Sequence, residues 1–171
     1  MMNNCTLQTI SYTSSIVTSA KQGPTGAAFL LAQLGAHAAG RFANRIAHLG
    51  ITPAHAGILR FIARTPSVNQ QRLAKFLGVL PSRMVLLIDE LADKGLIQRR
   101  RSTKDRRHSE LLLTKKGQRT LTKLSRLVIA HEADLCGALT SEERDTLARL
   151  GRKIVHHQGL TPDVHPGYQN L

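Results

Sequence analysis

Residues 69–95, NQQRLAKFLGVLPSRMVLLIDELADKG, constrain the chain most, because their punctuation leaves room for two short helices and little else. Asn69 is of a type that caps helix N-termini, and Leu73, Ala74 and Leu77 follow at helical spacing. Gly78 suits the left-handed residue that closes such a helix. Pro81 suits a first helical position, where its missing amide hydrogen is not needed. Met84, Leu87, Ile88 and Leu91 then recur at 0, 3, 4 and 7, one buried stripe, and Gly95 ends the second helix. Two helices joined by a short glycine-containing turn form a helix-turn-helix pattern.

A stretch of opposite character follows. In RRRSTKDRRHSELLLTKKG, residues 99–117, six of the first nine residues are Arg or Lys, and Asp105 stands alone among them. LIQRRR and HSELLLT each have strand length, so a hairpin with its tip near residues 102–107 is expected. Thr114 then caps a long helix in which Leu121, Leu124, Val128, His131 and Leu135 recur at spacings of 3 and 4. Upstream, Leu31, Leu34, Ala38, Phe42, Ile46 and Leu49 mark another long helix, ended by Gly50. Thr52-Pro53 restarts a helix with Ile58, Leu59 and Ile62 facing inward. Thr140 and Glu143 form a capping box for a last helix that runs to about His157.

Hydrophobic residues make up 42% of the 171, but aromatics only 4% with no Trp, so the core is built mainly from Leu, Ile, Val and Ala. That composition leans helical. The formal net charge of +13 attracts polyanions, either nucleic acid or an anionic membrane surface. A membrane-surface helix would oppose a basic face to a bulky apolar one. Here the charge concentrates on a hairpin instead, and no run approaches the ~18 apolar residues of a membrane span. The start of the chain shows no secretory pattern, and Cys5 and Cys136 make neither a disulfide framework nor a metal knuckle, so a cytoplasmic protein is expected. No P-loop, G-x-S-x-G or paired carboxylates appear, so neither enzymatic activity nor a cofactor is expected. Residues 1–26 read as a flexible polar arm, 27–158 as a single domain and 159–171 as a loose tail rich in Pro and Gly.

A helix-turn-helix, a basic hairpin with Asp-x-Arg, and LxLTxxG entering a long helix together resemble the MarR family of bacterial transcription regulators. Leu73-Ala74, Gly78, PSRMVLLIDELADKGLIQRR, DRR and LLLTKKG carry the likeness, which is tight over about 51–120 and compatible over the flanking helices. The resemblance implies a mainly α (α+β) fold, a winged helix-turn-helix with a two-stranded wing. The DNA-binding lobe would span about 51–113, and dimerisation helices at about 27–49 and 114–158 would interlock into a homodimer. The implied function is sequence-specific DNA-binding regulation, as a repressor on a pseudo-palindromic operator released by a small-molecule effector. The other reading is a low-specificity architectural DNA-binding protein, which would bind unrelated duplexes about equally.

With the stripe of the second helix committed to the core, Pro81, Ser82, Arg83, Val85 and Leu86 are left for a major groove. Arg83 can pair bidentately with guanine, touch only phosphate, or remain a solvated helix residue. Leu86 stands where many relatives carry a polar residue or Arg, and can meet a thymine methyl or simply pack. In the wing, the resemblance sends Arg107 of Asp-x-Arg into the minor groove. Asp105 either holds that guanidinium in one rotamer or favours the turn and relieves like-charge repulsion. Lys104 and Arg106 are expected on phosphates. Arg99, Arg100 and Arg101 alternate in direction, so they cannot all face DNA, and at least one is expected to pair with an acid such as Asp89 or Asp93.

Relatives often release DNA on binding a small aromatic acid or on oxidation of a cysteine. His37, Arg41, Phe42 and His55 are the candidate effector pocket, since a cation beside an aromatic suits an aromatic carboxylate. Such histidines are more often plain interface or core residues. Cys5 lies on the arm and Cys136 near a helix end, neither placed like a thiol sensor. The eight histidines supply no metal-ligand spacing, because His156 and His157 are adjacent and cannot share one helix face.

Overall fold

The helices and strands form where the caps and stripes place them. In a computed structural model, residues 26–101, 109–162, 164–165 and 168 are described. They form α1 (Ala27–Ile46), α2 (Pro53–Arg64), β1 (Val68–Asn69), α3 (Gln70–Leu77), α4 (Pro81–Asp93), β2 (Ile97–Arg101), β3 (Ser109–Leu113), α5 (Lys115–Leu135) and α6 (Ser141–His157). Residues 1–25 of the arm expected over 1–26, and the hairpin tip with Lys104, Asp105, Arg106 and Arg107, lie outside the described residues.

The chain divides into two units, residues 1–35 and 36–171. Of the first, the opening turns of α1 are described, with Phe29, Leu30, Leu31 and Leu34 exposed. The second holds the core. Ile58, Leu59 and Ile62 of α2 meet Leu73 and Leu77 of α3 and the α4 stripe of Met84, Leu87, Ile88 and Leu91. All four stripe residues are buried, as their spacing requires. Leu111 of β3 and Leu124 of α5 close this core.

Local chemistry fixes the element ends. Asn69 Oδ1 accepts the Arg72 amide at 2.8 Å, and Thr114 Oγ1 accepts the Gly117 amide at 3.0 Å. Thr140 and Glu143 form their reciprocal box. Gly78 takes a φ of 66°, so its N–H reaches back to the last α3 carbonyls at no Cβ cost.

The two-stranded wing is present as β2 and β3. Two features lie beyond what the sequence signalled. A third strand, β1, joins the wing in an antiparallel sheet of order β1-β3-β2. Val68 and Asn69 pair with Leu111 and Glu110, so the turn before α3 is tied to the base of the wing. A two-residue strand is too short to show any alternation in sequence. The tail is the second, because Tyr168 is only 7% exposed and its hydroxyl donates to the Ala54 carbonyl at 2.9 Å. A loose segment does not describe that residue.

Candidate nucleic-acid interface

The two faces of α4 differ sharply. Its stripe is sealed against α2 and α3, while Pro81 and Ser82 are exposed, and Val85 and Leu86 remain 41% and 52% exposed. A bulky apolar side chain left in water on a helix whose core face is complete has no packing role in the chain itself. Leu80, just before the helix, is also exposed. Pro81 occupies the first helical position, and no side chain caps this N-terminus, so its amides are left to an outside acceptor such as phosphate.

Arg83 behaves differently from its neighbours. It is half-buried, and its Nε is enclosed without a hydrogen-bond partner among the described residues. It lies near enough to His55 to disfavour protonation of that ring. A plain solvated arginine therefore does not describe Arg83.

The strand arginines sort as strand geometry demands. Arg99 NH2 bonds Asp89 Oδ1 of α4 at 2.5 Å, an acid expected from sequence. Arg100 faces the opposite side and reaches Glu110, its direct cross-strand partner, at 3.2 Å. Arg101 returns to the face of Arg99, one residue before the segment that carries the remaining wing cations. The first pair ties the recognition helix to the wing strand, so both candidate DNA-contacting elements share one frame.

The four candidate effector residues are not brought together as a pocket. Arg41 and Arg45 both pair with Asp134 of α5. Phe42 packs on His131, ring centroids 5.5 Å apart. His37 is exposed on α1. His55 is 1% exposed, and its job is local. Its Nδ1 accepts the Thr52 amide at 3.2 Å while Thr52 Oγ1 accepts the His55 amide at 3.3 Å, a capping box with His in the place of Glu. Its Nε2 lies 3.0 Å from Glu90 Oε2.

Burial, only partly offset by Glu90, lowers the His55 pKa from its ordinary 6.5. The folded state therefore holds fewer protons than the unfolded chain once pH falls below that value. Stability from this site is complete above the ordinary imidazole range and is lost on acidification through it. Melting temperature should drop between neutral pH and about pH 5, and the drop should be shallower in His55→Gln. Equal slopes in the two proteins would show that this ring is not the titrating group.

Cys136 is half-buried. Burial first, and then the Glu132 carboxylate, push its thiol up, opposite to what a reactive thiolate needs. Among the described residues, no three His, Cys, Asp or Glu side chains gather as metal ligands, and no single helix is long and apolar enough to cross a membrane.

A buried three-helix core, an α4 with an open outer face and a basic strand pair at its flank define a winged helix-turn-helix DNA-binding protein. Comparison with known proteins places it further. Residues 49–108 match the MarR family. A protein of Thauera aromatica named as a transcriptional regulator for the hcr operon is 34% identical over 113 residues, covering 66% of this chain and 68% of that one. The transcriptional repressor CouR, solved bound to a 23-mer DNA duplex, is 32% identical with a TM-score of 0.69, covering 76% of this chain and 92% of CouR. Wild-type MarR of E. coli in its apo form shares the fold at 23% identity and a TM-score of 0.69, over 78% and 98% of the two chains. The chain belongs to the MarR family and is a DNA-binding transcriptional regulator.

Proposed function

We propose that this regulator is a cytoplasmic repressor that acts as a homodimer on a pseudo-palindromic operator and is released by a small-molecule effector. The observation that carries the reading is the open face of α4, where Ser82, Val85 and Leu86 stand exposed beside a sealed core stripe. In a symmetric dimer two such helices would enter successive major grooves about one helical turn apart. The exposed apolar residues Phe29, Leu30, Leu31 and Leu34 on α1, and independently Leu147, Leu150 and Ile154 on α6, support dimerisation through the terminal helices. The wing would lie along the flanking minor groove with Arg107 inserted, oriented by Asp105, and with Lys104 and Arg106 on phosphates. The likeness to a repressor solved on DNA supports the same reading.

Fluorescence anisotropy tests this reading. A duplex from upstream of the protein's own gene and a scrambled duplex are titrated at two salt concentrations. Both should weaken with salt through counterion release. The native duplex should bind at least ~1000-fold more tightly. Equal binding to these and to duplexes selected from a random pool would replace the repressor reading by the architectural one. Arg107→Ala should cost on the order of 1–3 kcal/mol of duplex binding, with the melting temperature unchanged. Full affinity in that variant would remove Arg107 from the interface. Sedimentation as a monomer at micromolar concentration would remove the symmetric-site arrangement.

A further inference from the structure

The described residues after α6 turn back onto the core. Gly159 takes a φ of 65°, and the Leu160 N–H bonds the Val155 carbonyl at 3.1 Å, a turn that reverses the chain at the end of α6. Leu160, Thr161, Val164 and His165 then border the last turn of α3, around Phe76, Leu77 and Gly78. Val164 is partly buried against the core, and Tyr168 is buried within it. The path leads from α6 across the end of α3 to α2.

The tyrosine is seated by shape as well as by hydrogen bonding. Its hydroxyl donates to the Ala54 carbonyl at 2.9 Å and lies 3.4 Å from that of Pro53, both in the first turn of α2. Burial pushes its phenol up to about 12, so it remains a donor at neutral pH. Gly57 provides the seat, because a Cβ there would lie 1.6 Å from the hydroxyl oxygen and 2.8 Å from the ring carbon that bears it. The backbone of α2 does not itself ask for glycine. Gly57 has no left-handed φ, and glycine inside a helix is less favourable than alanine. Ile58, Leu59 and Ile62 face the core, and by helical periodicity Gly57 lies on the other side, so α2 is held between its core partners and Tyr168.

We propose that the chain after α6 is a releasable strap with Tyr168 as its latch: docked, it holds α2 and α3 in the arrangement that presents α4 to DNA, and undocked, it loosens them and weakens binding. Residues 78–80 alone separate α3 from α4, so a restraint on the end of α3 is a restraint on the start of α4. Among the described residues after α6, Tyr168 alone is buried and Val164 partly so. So few buried side chains let the strap open locally while the core stays folded. The strap also gives the end of α6 a direct route to the helix-turn-helix. That consequence for a dimer rests on α6 being a dimerisation helix, as proposed above, whereas the latch itself does not.

The chain has two Tyr and no Trp, so in full-length Tyr12→Phe protein Tyr168 is the one remaining strong fluorophore. Acrylamide quenching of that signal reads the latch directly. Tyr168 should be shielded in this parent and quenched several-fold more in Gly57→Ala, whose methyl takes the place of the hydroxyl. Circular dichroism should be unchanged, since alanine suits a helix. Duplex affinity, read by anisotropy on whichever duplex the parent binds most tightly, should fall about tenfold in Gly57→Ala and about tenfold in Tyr168→Ala. The double variant should lose no more than either single one, because both changes undo the same contact. A Tyr168 still shielded in Gly57→Ala would overturn the proposal. So would undiminished duplex affinity in both single variants, or losses that add in the double variant. Absence of a preferred duplex would remove the operator reading alone, because the comparison needs only a duplex that the protein binds.

Discussion

Gly117→Ala is expected to destabilise the protein by about 3 kcal/mol or more. Gly117 sits in the first turn of α5, where an added Cβ would lie 1.9 Å from the Leu96 carbonyl oxygen and 2.9 Å from its carbon. Those are backbone atoms, so no side chain can swing aside. The Leu96 carbonyl is also held in place, because it accepts the Thr114 amide at 3.1 Å. Thr114 Oγ1 meanwhile donates to the Gly95 carbonyl at 2.6 Å and accepts from Gly117. Moving Leu96 therefore breaks the cap of α5 and the entry to β2 together. Urea denaturation measures the loss. Unchanged stability in Gly117→Ala would mean that α5 does not start against the Leu96 carbonyl.

Most of that frame was legible before the structure, because it rests on local chemistry. Asn69, Thr114 and Thr140 cap where their hydroxyl or amide chemistry predicts, and the α4 stripe is buried at every position its spacing selected. Even the Arg99–Asp89 pair follows from alternation along a strand that carries more cations than one face can use. What the sequence hid is nonlocal. Tyr168 bonds a carbonyl 114 residues away, and nothing in the polar tail around it signals a buried partner. Phe61 and Phe76 lie on different helices, and their ring contact exists only once α2 packs on α3. His55 was obscured by residue type, because its position in a capping box is one that Glu or Gln normally fills. The effector reading of Arg41 and Phe42 failed to assemble because α5 supplies Asp134 and His131 to satisfy them, a pairing no spacing within α1 can reveal.

Leu86→Asp should leave folding intact and weaken duplex binding by on the order of a hundredfold, or about 2.7 kcal/mol. The two halves of that expectation come from one observation. Leu86 is more exposed than buried, on the side of α4 opposite Met84, Leu87, Ile88 and Leu91, so the core loses nothing when it changes. Surface substitutions of this kind usually shift stability by no more than about 0.5 kcal/mol. On DNA the same position would meet a groove walled by phosphates. A carboxylate there would lose any apolar contact with a thymine methyl and add repulsion between like charges. Leu86→Gln separates the two contributions, since it removes the apolar contact without adding charge. It should retain most of the affinity for scrambled DNA and lose mainly the preference for the native site. The aspartate variant should lose affinity for both duplexes, and part of that loss should disappear as salt screens the repulsion. If both variants bind the native duplex as the parent does, α4 does not enter a groove, and the DNA contacts must come from the wing.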